Sequence, residues 1–385
     1  MASRVSFGFP RMHLEQGEKR DFLPTLIGHL DRHGVEVYLE RGYGTGLGLV
    51  EEEYRKAAPH VEFVSNEETY QQDIVVVLRY PGDDAVRRLR PGACLISMLH
   101  YPTRPKRVDF LRSLGIEAIS LDSIKDDVGR RMVENLKAVG WNGMEAAFKV
   151  LHDIYPAPGL EDPTRNPIKV TVMGAGAVGM YAIQAAIRYG NEETWQRMAA
   201  IGATGVQVTA VDYDLTNHPA IMQQIIKYTD ILVDATQRTD PSKPIIPNDW
   251  IGMMRAHAIL VDLSVDPYDL TVEPPLVKGI EGIPQGNLDQ YIFAPDDPAY
   301  DALPSCVRKD HRRHAISCYS WPGVHPKECM EIYGAQLSPI LRTLAESDGI
   351  ENIKAHGTYF HRAIRRALLS EWAPEHNRVD HHRVE

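Results

Sequence analysis

Cysteine is scarce in this chain: Cys94, Cys306, Cys318 and Cys329 are the only four in 385 residues. Their irregular spacing argues against a disulfide-built scaffold and for a reduced, cytoplasmic setting. Three of them lie near His311, His314 and His325, yet that region contains no Cys-x-x-Cys or His-x-x-x-His spacing, so no metal site is expected there. Long apolar runs are also missing, and nothing approaches the roughly 18 residues of a membrane span. The opening Met1-Ala2-Ser3-Arg4-Val5 has no signal-peptide core. An excess of basic residues is absent too: the net charge of -10 argues against a dedicated nucleic-acid binder. What remains, 43% apolar and 24% charged residues, is the composition of a globular protein. Its length predicts two domains rather than one.

The most informative stretch is Val170-Thr171-Val172-Met173-Gly174-Ala175-Gly176-Ala177-Val178-Gly179. A β-branched run feeds directly into Gly-x-Gly-x-x-Gly, and an apolar helical pattern follows. Gly174 permits a tight turn out of the strand, Gly176 lets a pyrophosphate approach the backbone, and Gly179 lets the helix pack closely on the sheet. The helix then aims its positive end at the phosphates. A second strand, Val206 to Val211, ends in Asp212, the residue type that accepts hydrogen bonds from an adenosine ribose and repels a 2′-phosphate. This favours NAD over NADP, although Asp214 is close enough to compete. Asp212 comes almost twice as far after the glycines as the usual ~20 residues. The extra residues, from Asn191 to Thr204, read as an inserted helix and loop. Ala177 and Val178 in the turn, with Ala235 and Leu263 at the ends of two later strands, complete the expected coenzyme-binding set.

Elsewhere the chain alternates between strand and helix patterns. Leu23 to His33 is amphipathic, and Val35 to Leu39 is a short strand after it. Ile74 to Leu78 and Cys94 to Leu99 are continuous apolar runs of the kind buried in parallel sheets. Val108 to Leu114 reads as helix and Glu117 to Leu121 as strand. A long helix is expected from Asp127 to Tyr155, and further buried strands at Ile231 to Asp234 and Ala258 to Asp262. Helix returns from Met330 to Ala345, and a polar, His-rich, mobile tail is expected from Glu375. The pattern predicts an α/β protein of two doubly wound parallel-sheet domains, one of them a Rossmann dinucleotide-binding domain, joined by the long helix.

Several motifs in order resemble the family of alanine dehydrogenases and nicotinamide-nucleotide transhydrogenases, which includes saccharopine dehydrogenases and carboxyethyl-ornithine synthases. They are Arg41-Gly42-Tyr43-Gly44-Thr45-Gly46, Leu89-Arg90-Pro91-Gly92, Met98-Leu99-His100, the Gly174 fingerprint, Val261-Asp262-Leu263-Ser264-Val265-Asp266 and Trp321-Pro322-Gly323-Val324. The resemblance implies a catalytic domain split between residues 1–135 and 318–385, with an NAD-binding domain at 136–317 inserted, and a cleft between them. It implies His100 as acid/base, suited by an imidazole pKa near neutrality, and Asp266 as the aspartate that steadies a cationic intermediate or orients water. It implies a cation near the N-terminus for the substrate carboxylate, here Arg20 or its neighbour Lys19. The family's lysine after the Ile74 to Leu78 strand is replaced by Arg79. Arginine clamps a carboxylate but cannot titrate, which weakens a specific assignment to alanine.

The sequence therefore predicts an NAD-dependent oxidoreductase acting on an amino acid or N-substituted amino acid, with a small-molecule substrate, no membrane or nucleic-acid partner, and homo-oligomeric assembly as the family implies. Two alternatives stand beside it. One is an opine- or saccharopine-type enzyme that couples an amino acid to a keto acid, with Arg104, Lys106 or Arg313 serving a second carboxylate. The other is an NAD-binding protein without redox chemistry.

Overall fold

The computed structural model describes residues 5–372; the expected tail from Glu375 lies outside them. The chain forms two compact units, residues 1–135 with 326–385, and residues 136–325.

The first unit is built on six parallel strands: β1 (Ser6–Phe9), β2 (Glu36–Glu40), β3 (Glu62–Val64), β4 (Ile74–Arg79), β5 (Cys94–Met98) and β6 (Glu117–Ser120). Their order across the sheet is β3-β2-β1-β4-β5-β6. β4 shows why a continuous apolar run becomes an interior strand. Side chains alternate across a pleated strand, and here Ile74, Val76 and Leu78 enter one core while Val75 and Val77 enter the other. The first core is closed by the helix Pro24–Arg32, which buries Leu26, Ile27 and Leu30, and by the helix Pro326–Glu346. The second contains Val108 and Leu111 of the helix Pro105–Ser113. The central strand β1 was not anticipated: its four residues, interrupted by Gly8, are too short for a periodic signal.

The second unit holds β7 (Ile168–Met173), β8 (Val206–Val211), β9 (Ile231–Asp234), β10 (Ile259–Asp262), β11 (Ile292–Phe293) and β12 (His314–Ser317). They lie in the order β11-β12-β10-β9-β7-β8. All pairs are parallel except the edge pair β11–β12. The inserted residues before β8 form the helix Glu192–Ala200, with the Asn191 side chain accepting from Thr194 N–H at its start.

Two expectations are corrected. The long helix spans Leu136–Ile154 and does not begin at Asp127. Asp126 instead accepts from the N–H groups of Val128 and Arg130, and Gly129 takes φ +83°, so these residues form a turn. That helix is the first element after residue 135 and opens the second unit. Residues 318–325, assigned by sequence to the first unit, also belong to the second. Cys318 and Trp321 sit in its core, and the Trp321 indole N–H donates to Asp262 O at 2.8 Å. No helix among the described residues is long and apolar enough to cross a membrane.

Candidate active site

In the second unit the glycine loop follows β7, and its three glycines are not equivalent. Gly174 has φ +91°, and a Cβ there would meet Ala235 O at 2.5 Å. A Cβ on Gly179 would meet Gly174 O at 1.9 Å, so the following helix, Ala177–Ala186, packs on the loop only because that residue is glycine. At Gly176 a Cβ would meet nothing within 4 Å. The fold itself gives no reason for that glycine. Ala177 and Val178 form the first helical turn, where backbone N–H groups lack intrahelical partners. Ala235 N–H donates to Met173 O and Leu263 N–H to Asp234 O, which ties the ends of β9 and β10 to the loop's surroundings.

Asp212 ends β8 with an exposed carboxylate. One oxygen accepts from Tyr213 N–H at 2.8 Å and the other from Ala175 N–H, in the glycine loop, at 3.2 Å. Asp214 instead accepts from Leu215 N–H. Between the two acids, it is Asp212 that faces the loop.

Behind this surface lies a buried charge cluster that sequence reasoning missed. Lys278 Nζ donates to Asp262 Oδ2 at 2.6 Å and to Asp266 O at 2.9 Å. Burial opposes the Asp262 charge, but the Lys278 ammonium wins and holds its carboxyl below the usual range. Asp234, buried beside it, is pushed up to about 6 by burial first and by the Asp262 charge second. Val265 stands between these groups with φ +61°, a strained conformation for a β-branched residue. Asp266 was expected to steady a cationic intermediate or orient water; an arginine meets it here. Its Oδ2 accepts from Arg238 Nη2 at 2.8 Å and Nε at 3.2 Å. Nothing in the spacing of Arg238, Asp266 and Lys278 announces their meeting, because loops bring them together.

In the first unit His100 follows β5 with φ +53°. Its backbone N–H donates to Asp122 Oδ1 at 3.1 Å, and its Nδ1 lies 3.4 Å from Asp122 Oδ2. Ser120 Oγ also donates to Asp122, at 2.7 Å. Burial raises the Asp122 carboxyl, yet these partners, His100 foremost, hold it well below the usual carboxylate range. With Nδ1 against the carboxylate, Nε2 is the ring nitrogen left for a substrate proton. Asp122 was not singled out by sequence; it lies two residues past the next strand, where topology alone makes it a neighbour.

Arg79 ends β4 and pairs in register with Met98 of β5, so it stands one strand from His100. Its guanidinium meets the Glu15 carboxylate through Nη2 at 2.7 Å and Nε at 2.7 Å. Arg20, expected as a substrate contact, is buried: Nε and Nη2 meet the two oxygens of Glu18 at 2.8 and 2.5 Å, and Nη1 reaches Cys329 Sγ at 3.9 Å. Burial opposes the Glu18 charge, but Arg20, with Arg79 beyond it, holds its carboxyl below the usual range. Lys19 is exposed, with its backbone N–H on Glu18. Of the cations considered for a second carboxylate, Arg313 donates to the carbonyls of Arg255, Met254 and Arg312. Arg104 is exposed, and its neighbour Arg107 stacks on Tyr80 at 4.0 Å. Cys306 is exposed whereas Cys318 and Cys329 are buried in different cores, and the described residues hold no group of three metal-ligating side chains.

The family model for "Alanine dehydrogenase/PNT, N-terminal domain" matches residues 13–137, and that for "Alanine dehydrogenase/PNT, C-terminal domain" matches 147–268. The chain belongs to the alanine dehydrogenase/PNT family. Relatives include the NAD(P) transhydrogenase subunit alpha of Haemophilus influenzae, 21% identical over 90% of this chain and 67% of its own length. Another is the alanine dehydrogenase of Bacillus subtilis, 22% identical over 67% of this chain and 70% of its own. In fold, an L-alanine dehydrogenase structure superposes with a TM-score of 0.69 at 17% identity, covering 94% of both chains. A transhydrogenase from Sinorhizobium meliloti gives 0.60 at 18% identity, covering 89% of this chain and 95% of its own. The expected α/β architecture of two sheet domains is thereby shown.

Proposed function

We propose that this member of the alanine dehydrogenase/PNT family is an NAD-dependent oxidoreductase acting on the CH–NH group of an amino acid or N-substituted amino acid. The observation that carries the reading is His100: an imidazole at the carboxyl end of an interior strand, fixed by a buried aspartate, one strand from an arginine. Ligands of parallel sheets gather at such strand ends.

The residues present fit the coenzyme. Gly174, Gly176 and Gly179 with Ala177 and Val178 would cradle the pyrophosphate, and Ala235 and Leu263 would border the coenzyme further along the sheet. Asp212 would accept from the ribose hydroxyls and disfavour a 2′-phosphate. When bound, the nicotinamide supplies the hydride acceptor or donor. The chain's own groups do the rest. Arg79 binds the substrate carboxylate, with the buried Arg20–Glu18 pair shaping the wall beside it. His100 Nε2 removes a proton as the amine is oxidised to an imine and returns one in the reverse direction, while Asp122 fixes the ring. Asp266, its charge shared with Arg238, orients the water that adds to the imine before ammonia leaves.

Reduction of NAD by a panel of simple and conjugated amino acids tests this. Turnover of simple amino acids is expected, with NAD favoured over NADP. Turnover of conjugated amino acids alone would instead identify an opine- or saccharopine-type enzyme. A second reading, a nucleotide-binding component without amino-acid turnover, draws on the transhydrogenase alpha relative, whose similarity extends over 90% of this chain. Tight NADH binding without turnover of any amino acid would establish it.

A further inference from the structure

Two arginine–carboxylate forks lie side by side in the first unit, and one short segment, residues 11–18, supplies both carboxylates. Glu18 grips Arg20 with side chains 1% and 2% exposed. Glu15 grips Arg79 with side chains 28% and 26% exposed. The first fork is sealed in the core; the second is reachable from solvent. In both, the two carboxylate oxygens approach Nε and Nη2 of one guanidinium, with two hydrogen bonds in the first fork and one, Nη2 to Glu15 Oε1, in the second. That is the geometry a small carboxylate ligand uses on arginine.

The segment is tied at both ends. Arg11 N–H donates to Glu40 Oε2 at 2.7 Å, and the His13 ring lies 2.7 Å from Glu40 Oε1. Glu18 is fixed by Arg20. Between them Leu14 is 63% exposed and Gly17 turns the chain at φ +76°. Glu15 is the side chain that draws this middle part over Arg79, above a small pocket lined by Met12, Leu14, Glu15, Glu18, Arg79 and Tyr80.

We propose that Glu15 is a built-in stand-in for the substrate carboxylate, seated on Arg79 in the free protein and displaced when a carboxylate ligand binds, so that it sets the affinity of the site. This rests on the reading of Arg79 as the substrate-carboxylate cation. An exchangeable occupant lowers apparent affinity by the fraction of molecules in which Arg79 is engaged. Removing the Glu15 charge should therefore tighten ligand binding by roughly 5- to 10-fold. Glu18, whose pair is sealed, is not the exchanging group.

The test is calorimetric titration of the full chain, saturated with NADH and without ammonium, by pyruvate and by 2-oxoglutarate. Wild type is compared with Glu15→Gln, Arg79→Met, Arg79→Lys and Glu15→Gln/Arg79→Met, and thermal melts confirm that each variant is folded. The proposal expects Glu15→Gln to bind at least one of these 2-oxo acids several-fold more tightly than wild type. It expects Arg79→Met to lose binding whether or not Glu15 is present, and Arg79→Lys, with charge but no fork, to fall between. Equal or weaker binding by Glu15→Gln, with wild type binding normally, overturns the role of Glu15 and leaves the assignment of Arg79 standing. If NADH binds but neither 2-oxo acid binds wild type or Glu15→Gln, both the role of Glu15 and the carboxylate reading of Arg79 fall.

Discussion

His100 and Asp122 show how one side chain acquires a task from its neighbour. An imidazole on a loop is free to rotate; here a buried carboxylate meets one ring nitrogen and the backbone of the same residue. His100→Ala should lower turnover about 10²- to 10⁴-fold, the usual range for a positioned general acid or base, while NADH affinity measured by fluorescence titration stays nearly constant. Unchanged turnover removes His100 from the chemistry. A second residue-scale expectation concerns Asp234. Its folded-state pKa of about 6 lies above the ~3.9 of an unfolded aspartate. The native state therefore holds this proton more tightly. The stabilisation is fully present below about pH 4 and lost as pH rises through 6, on the order of 1–3 kcal/mol. Thermal melts between pH 4 and 7.5 should show Asp234→Asn gaining on wild type as pH rises; parallel curves would contradict it. Residues of this kind divide into those the sequence reveals and those it hides. Asp212 was singled out because it directly follows the strand β8, and His100 because the family resemblance implied it. Asp122, Glu15, Arg238 and Lys278 stay hidden, because their partners are 22, 64, 28 and 16 positions away and no spacing rule connects them.

At the level of elements, periodicity and glycine spacing carried most of the architecture. β4, β5, β9 and β10 are apolar runs buried on both faces, and each was located to within a residue or so. β1, β3, β11 and β12 escaped: Gly8 interrupts β1, β3 and β11 have only three and two residues, and β12 is not a continuous apolar run. The start of the helix Leu136–Ile154 was misplaced because Val128 and Met132 mimic a helical stripe, whereas Gly129 and the Asp126 carboxylate favour a turn. The glycine loop offers a sharper experiment, since its residues serve different ends. Gly179→Ala forces a Cβ against Gly174 O, where it would stand at 1.9 Å. Displacing the helix from the strand should cost about 1–3 kcal/mol, as overpacking does, and lower the melting temperature. Gly176→Ala meets no protein atom within 4 Å. It should leave the melt of the free protein within about 0.5–1 kcal/mol of wild type and weaken NADH by tenfold or more. Equal effects of the two substitutions on stability would remove the distinction drawn between them.

For the molecule as a whole, the two units differ in how the chain assembles them. The second is continuous, residues 136–325, with its own cores around β7, β9 and β10. The first is closed by chain from both ends: Met330, Leu337, Ile340, Leu341 and Leu344 of the helix Pro326–Glu346 fill its core, and Leu369 N–H donates to Ala118 O beside β6. Sequence resemblance implied this split but set the return at 318, whereas the second unit runs to 325. Burial of five large side chains is worth roughly 8–15 kcal/mol at about 1.5–3 kcal/mol each, as much as the typical total stability of a domain, about 5–15 kcal/mol. Residues 1–135 expressed alone should therefore lack cooperative unfolding. Residues 136–325 should melt cooperatively and retain NADH binding through the glycine loop and Asp212, yet reduce no coenzyme with any amino acid, because Arg79 and His100 lie outside them. Joining 1–135 to 326–372 through a short flexible linker should restore a cooperative melt to the first unit. Cooperative unfolding of 1–135 by itself, followed by circular dichroism, would show instead that the returning helix is dispensable and that this core is complete without it.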